Sequence, residues 1–580
     1  VILRLFPLWA VFLLPLAFWA PFEDAFKLPQ SVLAVALALF LAVAWAFRPG
    51  RPRTPILVPV LALAGGYFLS AVLGGMTRPS DAAVFLALAL SSVLLAGLES
   101  GGKKLVSAMV LAGTLSSLYS IFQFAGLDLL PSPGTGAGLR PFSTMGNPDF
   151  LAAFLLAVLP VAVFQWMSGR SAWSAVQAGS MVAALLLTQS RGAWLGAVAG
   201  MVSVPFLLYR TGTRLQPAGG LLKPALVLLL VAAGFFSLHG PARERLSRTF
   251  STGHFDAAGR LFMWKAGLGM VRERPVTGTG PGGFGMAYPA WHARGLAKNP
   301  GFPWFYTENA HNDFIQLPAE LGIPVFGLLA WVWVIFVWMA LRLARAGDRI
   351  ALGLLVGFIS LQVDALFNFP WYIVPTLAWF WVSLAVLAGG TPGGNPGRNR
   401  GPILPAVLAG LALVFALFRD VQANAWLKLS GDYLLAGRNP EARLCADNAV
   451  KRWAWWEGRT RGYNNASLAS YSMDDFASAE KYSLASLALA PQMPASISQL
   501  ALVQARMGNV AAAEKNCREA LQLNPHQAEA WHVLGNLAFM RRDLRGAQEA
   551  WEKAYAENPS IPGLSSNLEA LRRGKPGKSR

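Results

Sequence analysis

Val325-Phe-Gly-Leu-Leu-Ala-Trp-Val-Trp-Val-Ile-Phe-Val-Trp-Met-Ala-Leu-Arg-Leu343 contains no acid, and its one base stands at the far end. A helix of that length crosses a hydrocarbon core of roughly 30 Å. Just ahead of it the chain turns polar, in Glu308-Asn-Ala-His-Asn-Asp-Phe314, and then gives a helix signal, Leu317-Pro-Ala-Glu-Leu-Gly-Ile-Pro-Val325. The reading of this stretch decides the fold: a membrane helix bundle with one histidine, His311, at its mouth. Titratable groups seldom stand at a bilayer face without a use.

Runs of similar length recur on both sides of it, near 8–20, 31–47, 56–73, 82–98, 105–124, 150–167, 172–188, 193–209, 224–238, 350–367, 372–387 and 403–418. With 325–343 they make about thirteen spans. Of the 580 residues, 54% are hydrophobic and 14% charged, against about 25% charged in soluble domains. The expected class is therefore all-α: a polytopic bundle over residues 1–420 and a soluble helical domain over 421–580.

Loop charge sets the orientation. Arg48, Arg51 and Arg53, then Lys103 and Lys104, Arg170, then Arg210, Arg214 and Lys223, then Arg342, Arg345 and Arg349, and finally Arg398 and Arg400 all follow even-numbered spans. Six basic loops on one side make that side cytoplasmic and put the N-terminus there. Loops 127–149, 189–192, 239–322 and 368–371 then face outward, 239–322 being the large periplasmic loop. An odd span count sends the tail outward too, and a miscount of one span would reverse it. The first span has no small-residue cleavage site and is expected to be an anchor.

The net charge of +19 belongs largely to these loops, where it meets headgroups. With no basic stripe of interleaved aromatics, no nucleic-acid partner is expected. The two cysteines, Cys445 and Cys517, lie in the tail without zinc-ligand spacing, and Cys517 falls on a helical core position.

From Gly431 the pattern becomes short amphipathic helices. Trp531, Leu534, Gly535, Ala547, Trp551, Ala554 and Pro559 have tetratricopeptide spacing. Leu500, Ala513, Ala520 and Pro525 occupy the same places 34 residues earlier, as do Ala479 and Pro491 one period before that. Ala442–Ala449 fits a degenerate fourth unit. Such solenoids bind a protein partner or serve as scaffolds.

On the outward side, Arg140 precedes Pro141–Asp149, Arg191 lies in Gln189-Ser-Arg-Gly192, and Arg260 lies in Ala258-Gly-Arg-Leu-Phe-Met-Trp264. Several guanidiniums on one side suit an anionic ligand, phosphate above all; singly, each one equally suits snorkelling to headgroups or pairing with an acid. Thr277-Gly-Thr-Gly-Pro-Gly-Gly-Phe-Gly285 lacks the Gly-Lys-Ser/Thr ending of a phosphate loop and reads as a loop. His311 has Glu308, Asn309, Asn312 and Asp313 beside it, and Glu320 one helix later.

Gly146-Asn147-Pro148-Asp149, Ser190-Arg191-Gly192-Ala193-Trp194, Gly259-Arg260-x-x-x-Trp264 and His311-Asn312-Asp313-Phe314-x-Gln316-x-x-x-Glu320-Leu321-Gly322 resemble the O-antigen ligase and polymerase superfamily. The likeness covers about 105–387. It implies a GT-C-like glycosyltransferase of the bacterial inner membrane. Such an enzyme moves a glycan from undecaprenyl pyrophosphate to an acceptor hydroxyl on the periplasmic face, with no metal or cofactor. The acceptor is a lipid A-core sugar in ligases, a growing glycan in polymerases and a protein in O-oligosaccharyltransferases. Carried onto this chain, Arg191 and Arg260 hold the pyrophosphate and His311 receives the acceptor's proton or orients its hydroxyl. Arg140, Asn147, Asn312, Glu320 and Asp364 are candidate substrate contacts, with Asn368 beside Asp364. A lipid-glycan transporter would show internal repeats and charges deep in several spans. Neither is visible.

Overall fold

The computed structural model describes residues 2–19, 24–46, 54–75, 79–96, 102–128, 139–169, 171–213, 234–235, 237, 240–247, 255–296, 306–390, 403–452 and 456–572, and these are helical throughout apart from turns and loops. The membrane part contains α1 (Ile2–Leu13), α2 (Lys27–Ala46), α3 (Leu57–Gly74), α4 (Pro79–Ala96), α5 (Gly102–Phe124), α6 (Pro148–Gly169), α7 (Ala172–Leu187) and α8 (Arg191–Thr211). The large loop carries α9 (Gly240–Ser247), α10 (Phe255–Glu273), α11 (Gly283–Leu296) and α12 (Asp313–Leu321). Then come α13 (Ile323–Arg345), α14 (Arg349–Asp364), α15 (Val374–Gly389) and α16 (Ile403–Leu435).

Six of these helices are long and apolar enough to cross a membrane: Lys27–Trp45, Leu57–Gly74, Gly102–Phe124, Pro148–Gly169, Arg191–Thr211 and Ile323–Arg345. Leu5–Leu16, Asp81–Ala96, Ala172–Leu187 and Val374–Gly389 are shorter apolar helices. Twelve of the thirteen expected segments coincide with helices, and 224–238 falls almost entirely outside the described residues.

Helix α14 lies between α6 and α8, and glycines make both seams. Gly192, Gly196 and Gly200 recur every fourth residue along one face of α8, and that face meets α14. A Cβ at Gly196 would stand 2.5 Å from the Ser360 carbonyl oxygen. On the other side of α14, Gly353 meets the Val161 backbone and Gly357 the Ala157 carbonyl of α6. In lipid there is no hydrophobic drive between helices, so such close backbone approach supplies the packing. Behind the seam, Phe336 of α13, Phe358 of α14, Trp371, and Phe380 of α15 pack ring on ring.

The large loop has its own small core of Met263, Ala266, Met270, Phe284, Tyr288, Ala310 and Ala319. It is fastened to the bundle at three points. The Ile323 N–H donates to the Pro275 carbonyl (2.8 Å), and the Ser70 hydroxyl of α3 donates to the Thr277 carbonyl (2.9 Å). Gly280 (φ +84°) lies backbone to backbone on Gly74 and Gly75, where a side chain has neither room nor an allowed conformation. The close approach that the glycine run permits is thus to the protein's own chain.

The tail comprises α17 (Asn439–Arg452), α18 (Trp456–Ser472), α19 (Phe476–Leu489), α20 (Pro494–Arg506), α21 (Val510–Leu523), α22 (Ala528–Met540), α23 (Leu544–Glu557) and α24 (Leu564–Arg572). Consecutive helices pair and stack. Ala479, Ala513 and Ala547 are fully buried at successive repeats. A left-handed residue turns each hairpin at the matching place, at Asp474, Gly508 and Arg542. Cys517 is fully buried in the stack. Two features join the domains. Helix α16 runs unbroken from the last apolar segment into the first repeat, so the 420/421 division falls inside one helix. Helix α21 touches α11 of the large loop.

Candidate active site

The His311 loop is built around Gln316. Its Oε1 accepts from the Ala310 N–H (2.8 Å), and its Nε2 donates to Asn309 Oδ1 (3.0 Å) and Glu320 Oε1 (3.2 Å). This holds residues 309–311 against α12 and forces His311 into the left-handed region, φ 50°. A non-glycine residue there costs about 1–2 kcal/mol. The imidazole meets the ring of Phe369 edge to face at 5.0 Å, and Phe369 in turn meets Phe150, beside Asp149, at 5.5 Å. His311 Nδ1 is buried with no hydrogen-bond partner among the described residues.

Burial, reinforced by the Arg260 guanidinium and opposed by Asp149, pulls the His311 pKa down to about 4. The ring is therefore neutral at physiological pH. Arg260 is thus in electrostatic reach of His311, and of Asp364 as well. Arg191 arrives by a different route. It is the first residue of α8, an end where a cation opposes the helix dipole; helix stability does not explain its place there. The next residue, Gly192, presses on Asp364 and Asn368: a Cβ at 192 would lie 2.7 Å from Asp364 Oδ1 and from Asn368 Nδ2.

Asp364 Oδ1 accepts from Asn368 Nδ2 (2.6 Å), while its Oδ2 is buried without a partner among the described residues. Asn312 stands at the N-cap of α12, yet its side chain makes no cap bond, and its Oδ1 is buried without a partner among the described residues. The Asp313 N–H donates to the Ala365 carbonyl (2.9 Å), which draws the histidine loop onto the end of α14. Burial raises the Asp313 carboxyl well above the usual range; the nearby Asp364 and Glu320 raise it further against one opposing bond from the Trp371 N–H.

Besides Asp364, three of the candidate contacts have protein partners. Arg140 donates to the Thr188 carbonyl (2.6 Å) and to Asp149 Oδ1 (2.8 Å), bracing the loop before α6 against the end of α7. Asn147 Oδ1 accepts from the Asp149 N–H (2.8 Å), turning the chain into α6 with Pro148 as its first residue. Glu320 is almost fully buried. Its Oε2 accepts from the Gly282 N–H (2.8 Å) and the Tyr372 hydroxyl (3.0 Å), its Oε1 from the Phe284 N–H (3.2 Å) and Gln316. Burial raises its pKa against these four bonds. Glu320 therefore clamps the glycine loop under the histidine loop.

The structure thus brings His311, Asn312, Arg260, Asp364 and the head of α8 with Arg191 to one end of the bundle, with Arg140 and Asn147 shaping the neighbouring rim. Two participants were not in the sequence reading of the site. Asp149 appeared there only as the close of a motif, and Phe369 not at all. The acid at the first turn of a predicted span was the available signal for Asp149; nothing in the local sequence marks Phe369. Gln189 (φ 51°) and Ser143 (φ 54°) are also left-handed, so the 127–149, 189–192 and 239–322 loops each hold a strained non-glycine residue. Such outliers persist where the surroundings over-determine them, often at functional sites. Among the described residues, no cluster of acids, histidines and cysteines could hold a metal ion.

An all-helical, multi-pass membrane protein with a polar centre at one end and a repeat tail is the class that fold and site define. Residues 176–332 match the family described as O-Antigen ligase. Arg191, Arg260 and His311 fall inside the match; Arg140, Asn147 and Asp364 fall outside it. The family is one of ligase- or polymerase-type membrane glycosyltransferases.

Among curated proteins, Homo sapiens tetratricopeptide repeat protein 7B is 27% identical over 143 residues, which is 24% of this chain and 17% of that protein. Similar solved structures include YrrB, described as a TPR protein with an unusual peptide-binding site: 16% identity, 29% of this chain, 83% of that chain, TM-score 0.22. The APC/C hetero-tetramer Cut9–Hcn1 gives 11% identity, 94% of this chain, 85% of that chain and TM-score 0.24. The chain carries a tetratricopeptide region, as its periodicity and buried alanine register require.

Proposed function

We propose that the protein is an O-antigen ligase-like glycosyltransferase of the bacterial inner membrane, moving a glycan from undecaprenyl pyrophosphate to an acceptor hydroxyl on the periplasmic side. The observation that carries this is that Arg260 is in electrostatic reach of both His311 and Asp364, that Asp364 lies against Gly192 at the head of α8, and that three of the site's polar atoms, His311 Nδ1, Asn312 Oδ1 and Asp364 Oδ2, are buried without a partner among the described residues. Buried polar groups are normally satisfied. Here the missing partners are those a substrate would bring.

The acceptor oxygen attacks the anomeric carbon as the bond from that carbon to the diphosphate oxygen breaks. The electron pair leaves with the diphosphate. Arg191 and Arg260 neutralise the charge gathering there, the same kind of stabilisation an oxyanion hole gives. His311, neutral, receives the hydrogen bond of the acceptor hydroxyl and takes its proton as the new bond forms. With its basicity lowered by burial and Arg260, orientation is the larger part of its work. Asp364 Oδ2 and Asn312 Oδ1 accept from further substrate hydroxyls. Glu320, Arg140 and Asn147 position the loops. Direct displacement inverts the anomeric centre.

A protein acceptor is the second reading, and one contact favours it: α21 of the repeats rests against α11 of the large loop, so a polypeptide held by the solenoid lies near the site. The same contact supports a periplasmic repeat domain. The test offers a lipid-pyrophosphate glycan with a lipid A-core, a glycan or a protein acceptor in separate reactions. We expect one acceptor to be glycosylated by the parent chain and none by Arg260→Ala or His311→Ala. Turnover by both variants would defeat the assignment. A periplasm-dependent reporter fused after Arg580 is expected to be active.

A further inference from the structure

Helix α10, which carries Arg260, has one face packed and one bare. Met263, Ala266 and Met270 are buried in the loop core, Gly267 lies on Ile315 of α12, and Gly269 lies on Trp291 of α11. The opposite face presents Leu261, Lys265, Leu268 and Arg272, at i, i+4, i+7 and i+11, all exposed. The two leucines are 50% and 46% exposed, as open as the lipid-facing leucines of α3. Neither Lys265 nor Arg272 has an ion-pair partner among the described residues.

Both ends of this helix stand near the level where the bundle ends. Near its start, Arg260 is in electrostatic reach of Asp364, the last residue of α14. Just past its end, the Pro275 carbonyl accepts from the N–H of Ile323, the first residue of α13. A helix bonded at one end to the start of a span, packed on α12 along its length, and with its first-turn cation in electrostatic reach of the end of another span, lies along the bundle's end. Its bare face continues through exposed Val276 to exposed Ile323, which opens a membrane span.

We propose that the Leu261–Lys265–Leu268–Arg272 face of α10 rests in the outer leaflet of the membrane, its leucines among the upper acyl carbons and its cations on anionic lipid phosphates. Apolar and basic side chains sharing a face are the composition of an interfacial helix. Arg260 stands at the flank of this face, between it and the buried side, so a phosphate moving laterally in the leaflet reaches Arg260 without leaving the headgroup layer. The docking itself does not depend on glycosyl transfer.

The test uses the full chain in nanodiscs of mixed phosphatidylethanolamine and phosphatidylglycerol, with Cys445→Ala and Cys517→Ala as background. An environment-sensitive fluorophore is placed at Leu261→Cys, at Leu268→Cys or, as an aqueous control, at exposed Leu544→Cys of the solenoid. We expect nitroxide-bearing lipid to quench both α10 labels by roughly twofold or more and spare the control, and iodide to show the reverse. Iodide quenching of the α10 labels equal to the control would overturn the proposal. So would protection from both quenchers, which marks a protein cover. Lys265→Glu with Arg272→Glu is expected to remove the phosphatidylglycerol dependence of the quenching, and unchanged dependence would show that the two cations meet no lipid phosphate.

Discussion

The solenoid and the end of the bundle that carries His311 are made of the same materials and use them to opposite ends. Both bring helices together on small residues, and both hold non-glycine residues in left-handed conformations. In the solenoid these features recur. Asp474 and Arg542 turn equivalent hairpins, and the next residues, Asp475 and Asp543, cap the following helices through the Ser478 and Gly546 N–H groups. At the bundle's end nothing recurs. Ser143, Gln189 and His311 are strained in three unrelated loops, and the neighbouring Asn312 caps no N–H with its side chain. Repetition with satisfied polar groups is the mark of architecture. Irregular strain with unsatisfied polar groups is the mark of a site awaiting a ligand.

The comparison breaks most directly at the site. Arg260→Ala is expected to lower the transfer rate by about 100- to 1000-fold, the loss typical of removing one electrostatic stabiliser, with unchanged helix content and membrane insertion. A rate within a few-fold of the parent's would put Arg260 among the architectural residues. Next in size is Trp551→Ala in the solenoid. Trp551 is buried against Gly535 and Phe539, and its loss is expected to cost about 3–5 kcal/mol of repeat stability, read as a lower unfolding temperature, while transfer to a small glycan acceptor continues. Gly196→Leu places the same kind of damage beneath the site. Overpacking the seam with α14 is expected to cost about 1–3 kcal/mol, and here activity falls together with stability, because the head of α8 moves with the seam.

Asn147→Ala removes the bond to the Asp149 N–H and is expected to cost about 1 kcal/mol in thermal unfolding. The smallest expected effect is that of pH. With its pKa lowered to about 4, His311 takes up a proton only well below the ordinary histidine range near 6.5. The transfer rate is expected to stay level from about pH 8 to about pH 5 and to fall below that as the ring becomes cationic. A fall centred near 6.5 would show a histidine that is neither buried nor beside Arg260 when substrate is bound.

Much of this was legible in the chain. Apolar length and loop charge are one-dimensional signals in a bilayer, so the segments of α2, α3, α5, α6, α8 and α13 stand out without knowledge of their neighbours. The repeat register reads as plainly, since Ala479, Ala513 and Ala547 do the same job at one spacing. His311 and Arg260 showed as polar groups out of place. What stayed hidden depends on which face meets which. The Gly192, Gly196 and Gly200 series is visible as a spacing, but its partner Ser360 is more than a hundred residues away. Glu320 reads as a site acid, while its four bonds come from the glycine loop, Gln316 and Tyr372. Asp149 is coupled to His311 across Phe369, a packing fact that no local motif encodes.

Helix α16 has a mechanical consequence. An uninterrupted helix from Ile403 to Leu435 is a rod roughly 50 Å long at 1.5 Å per residue, with no hinge between the bilayer and the repeats. If the repeats hold an acceptor, as the second reading of the function supposes, it would sit at a set bearing and height over the membrane instead of swinging through a volume, so its own reach would decide whether its hydroxyl arrives at the proposed site.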